Sequence, residues 1–198
     1  MAIRKIARMG HPVLRQPTAL VVDPTAPEVA RLIADMFETM VDAEGVGIAA
    51  PQVYESVKIV MLYTPEDAAR PDDLRDKDLA ILINPVVTVL GESLEEGWEG
   101  CLSVPGLRGA VARPAHIGYR ALGPDGQKIE REARGFHARV VQHECDHLAG
   151  VLYPMQMNDM AKLVFTSEWK HFAAAEGLDE TEGLGDGEAD PENDQEKE

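Results

Sequence analysis

Cysteine is scarce in this chain of 198 residues: there are two, Cys101 and Cys145. Two thiols do not make a disulfide framework in a chain of this size. Also missing is any stretch near the roughly 18 consecutive apolar residues that a membrane-spanning helix needs. The first residues, Met1-Ala2-Ile3-Arg4-Lys5, have neither the apolar core of a secretory signal nor an Arg- and Ser-rich transit segment. These absences predict a cytoplasmic protein with no membrane partner. Positive charge is in short supply too, with 19 Lys and Arg against 35 Asp and Glu, a net of −16. Residues 176–198 hold eleven of those acids and one lysine, which leaves −6 for residues 1–175. The acidic stretch has no aromatic residue, so we expect a disordered tail that aids solubility and repels nucleic acid. Residues 1–175 are enough for a single domain with a sizeable core.

What is present centres on Gln142-His143-Glu144-Cys145-Asp146-His147-Leu148. His143 and His147 are four apart, so on a helix they stack on one face. Two imidazoles so placed can hold one divalent metal, with Glu144 beside them as a base toward water. A catalytic metal needs a third protein ligand and an open position. Downstream, His171 and several Glu are available, but no H-x-x-G-x-x-H extension exists. Upstream, Cys101 in Glu99-Gly100-Cys101-Leu102-Ser103 is another candidate. Cys145 lies about 200° around the helix from His143 and is expected to face away as a buried, inert thiol.

Elsewhere, residues 1–24 read as irregular, with a turn and an extended piece at Gly10 to Arg15. Thr25 and Glu28 form a capping-box pattern before a helix reaching about Asp42, with Val29, Leu32, Ile33, Met36 and Met40 at helical spacing. Gly45-Val46-Gly47-Ile48-Ala49-Ala50-Pro51-Gln52 is either a tight turn or a backbone platform for a ligand, with Gln52 as a side-chain donor. Strands are expected at 57–63, 79–84 and 86–90, with Pro85 as a breaker and residues 64–78 as a loop. Segments 117–122 and 127–132 flank Gly123-Pro124-Asp125-Gly126 as a hairpin. The histidine helix opens at Arg134 or Gly135 and stops before Gly150. Phe136 and Val140 share the histidine face. A last helix is expected within 159–175. Without alternating βαβ units, the fold class is α+β with a mainly antiparallel sheet.

Three segments, Gly45 to Gln52, Glu99 to Ser103 and Gln142 to Leu148, together resemble the peptide deformylase family. That family carries G-φ-G-φ-A-A-x-Q, E-G-C-φ-S and Q-H-E-x-D-H-L in this order, and each matches here without departure. The resemblance covers about residues 1–170. It implies a sheet packed around a central metal-binding helix. It also implies hydrolysis of the N-formyl group from the formylmethionine of newly made polypeptides, releasing formate. Its expected metal is Fe²⁺, with Zn²⁺, Ni²⁺ or Co²⁺ able to occupy the site. The implied partners are formyl-Met nascent peptides and, transiently, the ribosome.

On that resemblance, Cys101 as thiolate joins His143 and His147 as ligands. Glu144 is the base, and the Gln52 amide and Leu102 backbone N–H stabilise the oxyanion. Gly45, Val46, Gly47 and Gly100 are expected to line the peptide cleft. Arg108 is expected at the peptide end, and Glu99–Arg113 as an ion pair; Asp146 is expected to support a neighbour or to cap locally, if it is not simply a solvated helix acid. Val46, Phe136 and Val140 are candidates for the methionine pocket. Two rivals remain: an H-E-x-x-H endopeptidase, disfavoured by the lack of a downstream third ligand, and a non-catalytic metal module, which needs neither Glu144 nor Gln52.

Overall fold

The computed structural model describes residues 2–64 and 79–179. The long amphipathic pattern becomes α1 (Pro27–Asp42), which buries Leu32, Met36 and Met40. Thr25 does not cap it. Its hydroxyl and N–H are both taken by Asp23 Oδ1, at 2.7 and 2.9 Å, so Ala26 is the N-cap. Pro27, whose ring presets a helical φ, opens the first turn instead. The irregular start likewise holds a 3₁₀ turn, Pro12–Arg15, capped by the exposed His11 side chain.

Among the described residues, eight strands follow in two antiparallel sheets. The larger is built from β1 (Gly47–Ala49), β2 (Ile59–Tyr63), β3 (Leu79–Val89), β6 (His116–Leu122) and β7 (Lys128–Arg134), in that spatial order. The smaller has β4 (Leu94–Glu99), β5 (Leu107–Pro114) and β8 (Leu163–Phe165), with β5 in the middle. β2 is buried at every position, so both of its faces are covered. α2 (Gly135–Leu148) packs against β1, β2, β3, β6 and β7 of the large sheet and β5 of the small one. It is the element that both sheets share, in keeping with the α+β expectation. Gly150, at φ 77°, follows its C-cap Ala149. A short helix, α3 (Trp169–Glu176), closes the described chain.

Two expected strands are one. Pro85 does not break β3; the register with β6 shifts between Ile83 and Val86, a bulge that accommodates a residue with no N–H. Asn84 takes the left-handed conformation there, φ 54°, and its amide bonds Val21 N–H and C=O, both at 2.9 Å. The expected last helix is also different. Residues 160–162 form a 3₁₀ turn and 163–165 pair with β5, because Val164 buries against that edge. Helix begins only at Trp169. β4 and β5 were not anticipated; both carry charge and glycine where alternation would be looked for. The expected loop at 64–78 lies outside the described residues from 65 on, as does the expected tail from 180 on. No helix among the described residues is long and apolar enough to cross a membrane.

The Asn84 side chain links the N-terminal segment to the bulge. Asn84→Ala removes two hydrogen bonds and leaves a β-carbon residue at positive φ, so we expect a loss of about 2 kcal/mol in urea unfolding.

Candidate functional site

α2 and the turn after β4 bring three donor side chains together. The ligand atoms of Cys101, His143 and His147 all lie within 4.8 Å of one another. Cys101 Sγ is 3.3 Å from His147 Nε2. Helical spacing puts the two imidazoles on one face, 5.2 Å between ring centres. The downstream alternative does not join them: His171 is exposed on α3. Cys145 is half-buried and packs beside the main core, where burial and then Glu144 and Asp146 push its thiol up to about 12. It stays protonated and inert, as expected.

Glu99, at the end of β4, orients the first histidine. Its carboxylate accepts from His143 Nδ1 at 2.9 Å, which leaves Nε2 as the atom that could hold a metal. The same carboxylate accepts from Arg113 Nε and Nη2, at 2.5 and 2.8 Å, and from Arg139 Nη1 at 2.7 Å. Burial opposes ionisation of Glu99, but the hydrogen bonds from Arg113 and His143 outweigh it and hold the carboxyl well below its usual range. Asp146 accepts from Arg113 Nη1 at 2.8 Å, so of the roles open to it the support of a neighbour is the one the structure shows.

The electrostatics suit a cation. Burial lowers the His143 pKa, but bonding to Cys101 and Glu99 raises it well above the ordinary value, so its surroundings favour positive charge. Burial, then His143, drives His147 well below the ordinary value and keeps it neutral, the form in which imidazole ligates. A thiol and two imidazoles facing one point form a donor set for a first-row divalent ion. The residues present therefore fit a metal.

Glu144 is 4% exposed and lies directly on Gly47: a β-carbon there would fall on its carboxylate. Neither Gly45 nor Gly47 has positive φ; what they permit is close approach, with Leu102 against Gly45 and Glu144 against Gly47. Gln52, in the 3₁₀ turn Ala50–Val53, accepts from Ala49 N–H with Oε1 at 2.8 Å. That bond fixes the amide orientation. Nε2 then faces Ser103 Oγ at 3.2 Å and Cys101 Sγ at 3.7 Å.

A cleft of about 860 Å³ opens beside these groups. All of the residues expected at it line it: Gly45, Val46, Gly47 and Gln52 on one side, with Gly100, Cys101, Leu102 and Arg108 among the others. Phe136 and Val140 reach it from α2. Arg108 does not join the Glu99 cluster; its guanidinium lies over the Trp169 ring. Arg139 was missed. Its one signal was its place four residues before His143, one turn up the same face. Ser103 lay inside a motif but had been given no role.

Comparison with known proteins gives the same picture. The family model for polypeptide deformylase matches residues 3–163. The chain belongs to the polypeptide deformylase family. A curated relative, peptide deformylase 1 of Bordetella pertussis, is 51% identical over 164 residues, 83% of this chain and 93% of that protein. Peptide deformylase 1 of Prochlorococcus marinus is 43% identical over 182 residues, 92% of this chain and 95% of its own. Among solved structures, a peptide deformylase from Plasmodium falciparum superimposes with a TM-score of 0.73 at 29% identity, covering 86% of this chain and 91% of that one. A class I type b peptide deformylase from Acinetobacter baumannii, bound to Met-Ala-Ser, gives 0.72 at 33% identity, covering 79% and 99%. Removal of the N-formyl group from nascent polypeptides is the reaction of this family of metalloenzymes and of this chain.

Because Glu99 orients His143, Glu99→Gln should weaken Ni²⁺ binding by about 10–100-fold, read by competition with a chromophoric chelator.

Proposed function

We propose that one divalent ion is held by Cys101 as thiolate and by His143 and His147 as neutral imidazoles, and that deformylation takes place beside it. The observation that carries this is the convergence of those three donor atoms next to Glu144 and the cleft. Fe²⁺ is the native metal in this reading, with Zn²⁺, Ni²⁺ or Co²⁺ able to take its place. When bound, the ion supplies Lewis acidity that makes water nucleophilic near neutral pH, tempered by the thiolate's negative charge.

The protein's own groups do the rest. Glu144 accepts a proton from the attacking water and delivers it to the leaving amine. Water oxygen adds to the formyl carbon, the C–N bond breaks, and formate and a free amino terminus leave. As the carbon becomes tetrahedral its carbonyl oxygen gains negative charge. Gln52 Nε2 and the Leu102 backbone N–H donate to that oxygen; the bond from Ala49 N–H, which turns Nε2 toward Cys101, supports the Gln52 assignment.

The substrate is a peptide beginning with formylmethionine. β1 is an edge strand, and an extended peptide adds to it along Gly45, Val46 and Gly47. Val46, Phe136 and Val140 form the apolar pocket for the methionine side chain. Gly100 and Arg108 meet the peptide on the other wall. The Met-Ala-Ser complex of the Acinetobacter relative supports a peptide in this cleft. Such chains are met as they leave the ribosome, a transient partner. Residues 1–175 act as one catalytic domain, and 176–198 as a solvating tail.

Protein loaded anaerobically with Fe²⁺ or Ni²⁺ should release formate from a formyl-Met tripeptide. Glu144→Ala should lower kcat by at least about a hundredfold with the metal still bound. Metal binding without formate release would instead support a non-catalytic module. A thiolate beside iron is open to oxidation. The iron form should therefore lose activity within hours in air, and full retention would count against thiolate-bound iron.

A further inference from the structure

Positive charge is spread unevenly along the chain. Residues 1–22 hold Arg4, Lys5, Arg8 and Arg15 and no acid, a net of +4, which leaves −20 for residues 23–198. Three of these four, Arg4, Lys5 and Arg8, line the cleft. The acids that line it, among the described residues, are Glu99 and Glu144, and both are buried. Asp42 and Glu44 are exposed on either side of Ala43, which lines the cleft, but they do not line it themselves. At this end, the cleft of an acidic protein has a cationic rim.

The strip that carries the cations is sewn to the site. Ala7 N–H donates to Gln52 C=O and Met9 N–H to Ser103 C=O, both at 2.7 Å. Arg8 lies between these two anchors, so its backbone is fixed against the turns that carry Gln52 and Cys101. Arg4 N–H donates to Thr39 Oγ1 at 2.9 Å, on α1 one turn before Ala43. The Arg4 guanidinium is used by the fold: Nε meets Asp35 at 3.0 Å and Nη1 meets Glu55 at 2.6 Å. Lys5 and Arg8 differ. Both are exposed, and neither side chain has a hydrogen bond or ion pair among the described residues.

Glu144 lies on Gly47, so the reacting end of a peptide docked on β1 sits there. From Gly47 the edge runs back through Val46 and Gly45, and Ala43 follows; all four line the cleft. At roughly 3.3 Å per residue, an extended peptide starting at Gly47 brings its third and fourth residues to Ala43 and the basic strip.

We propose that Lys5 and Arg8 are specificity-determining residues that favour acidic side chains at the third and fourth positions of the formyl peptide. This rests on the docking of the peptide along β1 given above. Exposed ion pairs are individually weak, so the effect is a graded bias and not a gate. Its sign is diagnostic. The field of a chain with a net charge of −16 repels an acidic peptide, so a preference for one has to come from cations close to it.

The test is the ratio of kcat/KM for two amidated peptides, formyl-Met-Ala-Asp-Asp and its isostere formyl-Met-Ala-Asn-Asn, on the full-length Ni²⁺-loaded enzyme. The acidic peptide should be favoured about three- to tenfold at low salt, as two exposed pairs allow. Molar salt should bring the ratio below about twofold by screening. Lys5→Gln with Arg8→Gln should bring it to one or below, and Lys5→Glu with Arg8→Glu should reverse it. Arg15 is exposed on the same strip but does not line the cleft, so Arg15→Gln should leave the ratio in place. No preference for the acidic peptide, or equal losses in Arg15→Gln and Arg8→Gln, would overturn the proposal. Calorimetry on Ni²⁺-loaded Glu144→Ala protein reads the same ratio as affinities, without turnover. Absence of formate release would therefore count against the deformylation reading alone, while equal affinities for the two peptides would overturn the role of the rim.

Discussion

One buried carboxylate joins the parts of this protein that matter for chemistry. Glu99 is 5% exposed, and a charge so placed costs several kcal/mol unless its lone pairs are filled. Here Arg113, Arg139 and His143 fill them with four hydrogen bonds. The donors come from β5 and α2, and the acceptor from β4. The small sheet, the central helix and the first histidine are thus pinned at one point. Arg139 extends the joint by donating to the carbonyls of Glu95, Gly97 and Val111. Its guanidinium lies where a β-carbon on Gly97 would sit. The geometry of the three-donor cluster inherits its definition from this joint, since Cys101 follows Glu99 by two residues and His143 is one of its donors.

The same joint explains why the histidines differ. His143 faces Glu99 and Cys101, and its surroundings hold positive charge. His147 sits deeper and stays neutral. Two chemically identical side chains one helical turn apart are separated by their surroundings: Cys101 and Glu99 raise His143 against its burial, while burial and then His143 lower His147. In a helix-borne pair of ligands, that distinction cannot come from the helix itself.

The chemistry was more legible in the sequence than the architecture. His143, Glu144 and His147 announce themselves because helical geometry turns a fixed spacing into a shared face. Cys101 and Gln52 are short-range readable only as parts of motifs; their meeting is a tertiary event. Glu99–Arg113 followed from the family resemblance, but Arg139 was not found, because nothing local marks an arginine as buried. β4 and β5 escaped for a related reason. β4 is exposed over its first half and ends on the buried Glu99, and β5 buries Arg108 and Arg113 alongside Gly109, Ala110 and Val111, so neither carries a clean apolar alternation. β8 looked helical because three residues carry too little pattern to compete, and pairing with β5 decided the matter. Thr25 shows the reverse error: a good local cap was taken by a better local acceptor, Asp23.

β1 is only three residues long, and a 3₁₀ turn ends it at once. An open strand edge usually invites unwanted pairing with other chains. Here the edge is too short to template a sheet, yet long enough to align a few peptide units. With the docking proposed above, such an edge reads backbone and not side chains. Recognition then concentrates on the first residue, and the sequence behind it is left largely unread. An enzyme that must accept the beginnings of many different proteins gains that tolerance from the brevity of a single strand.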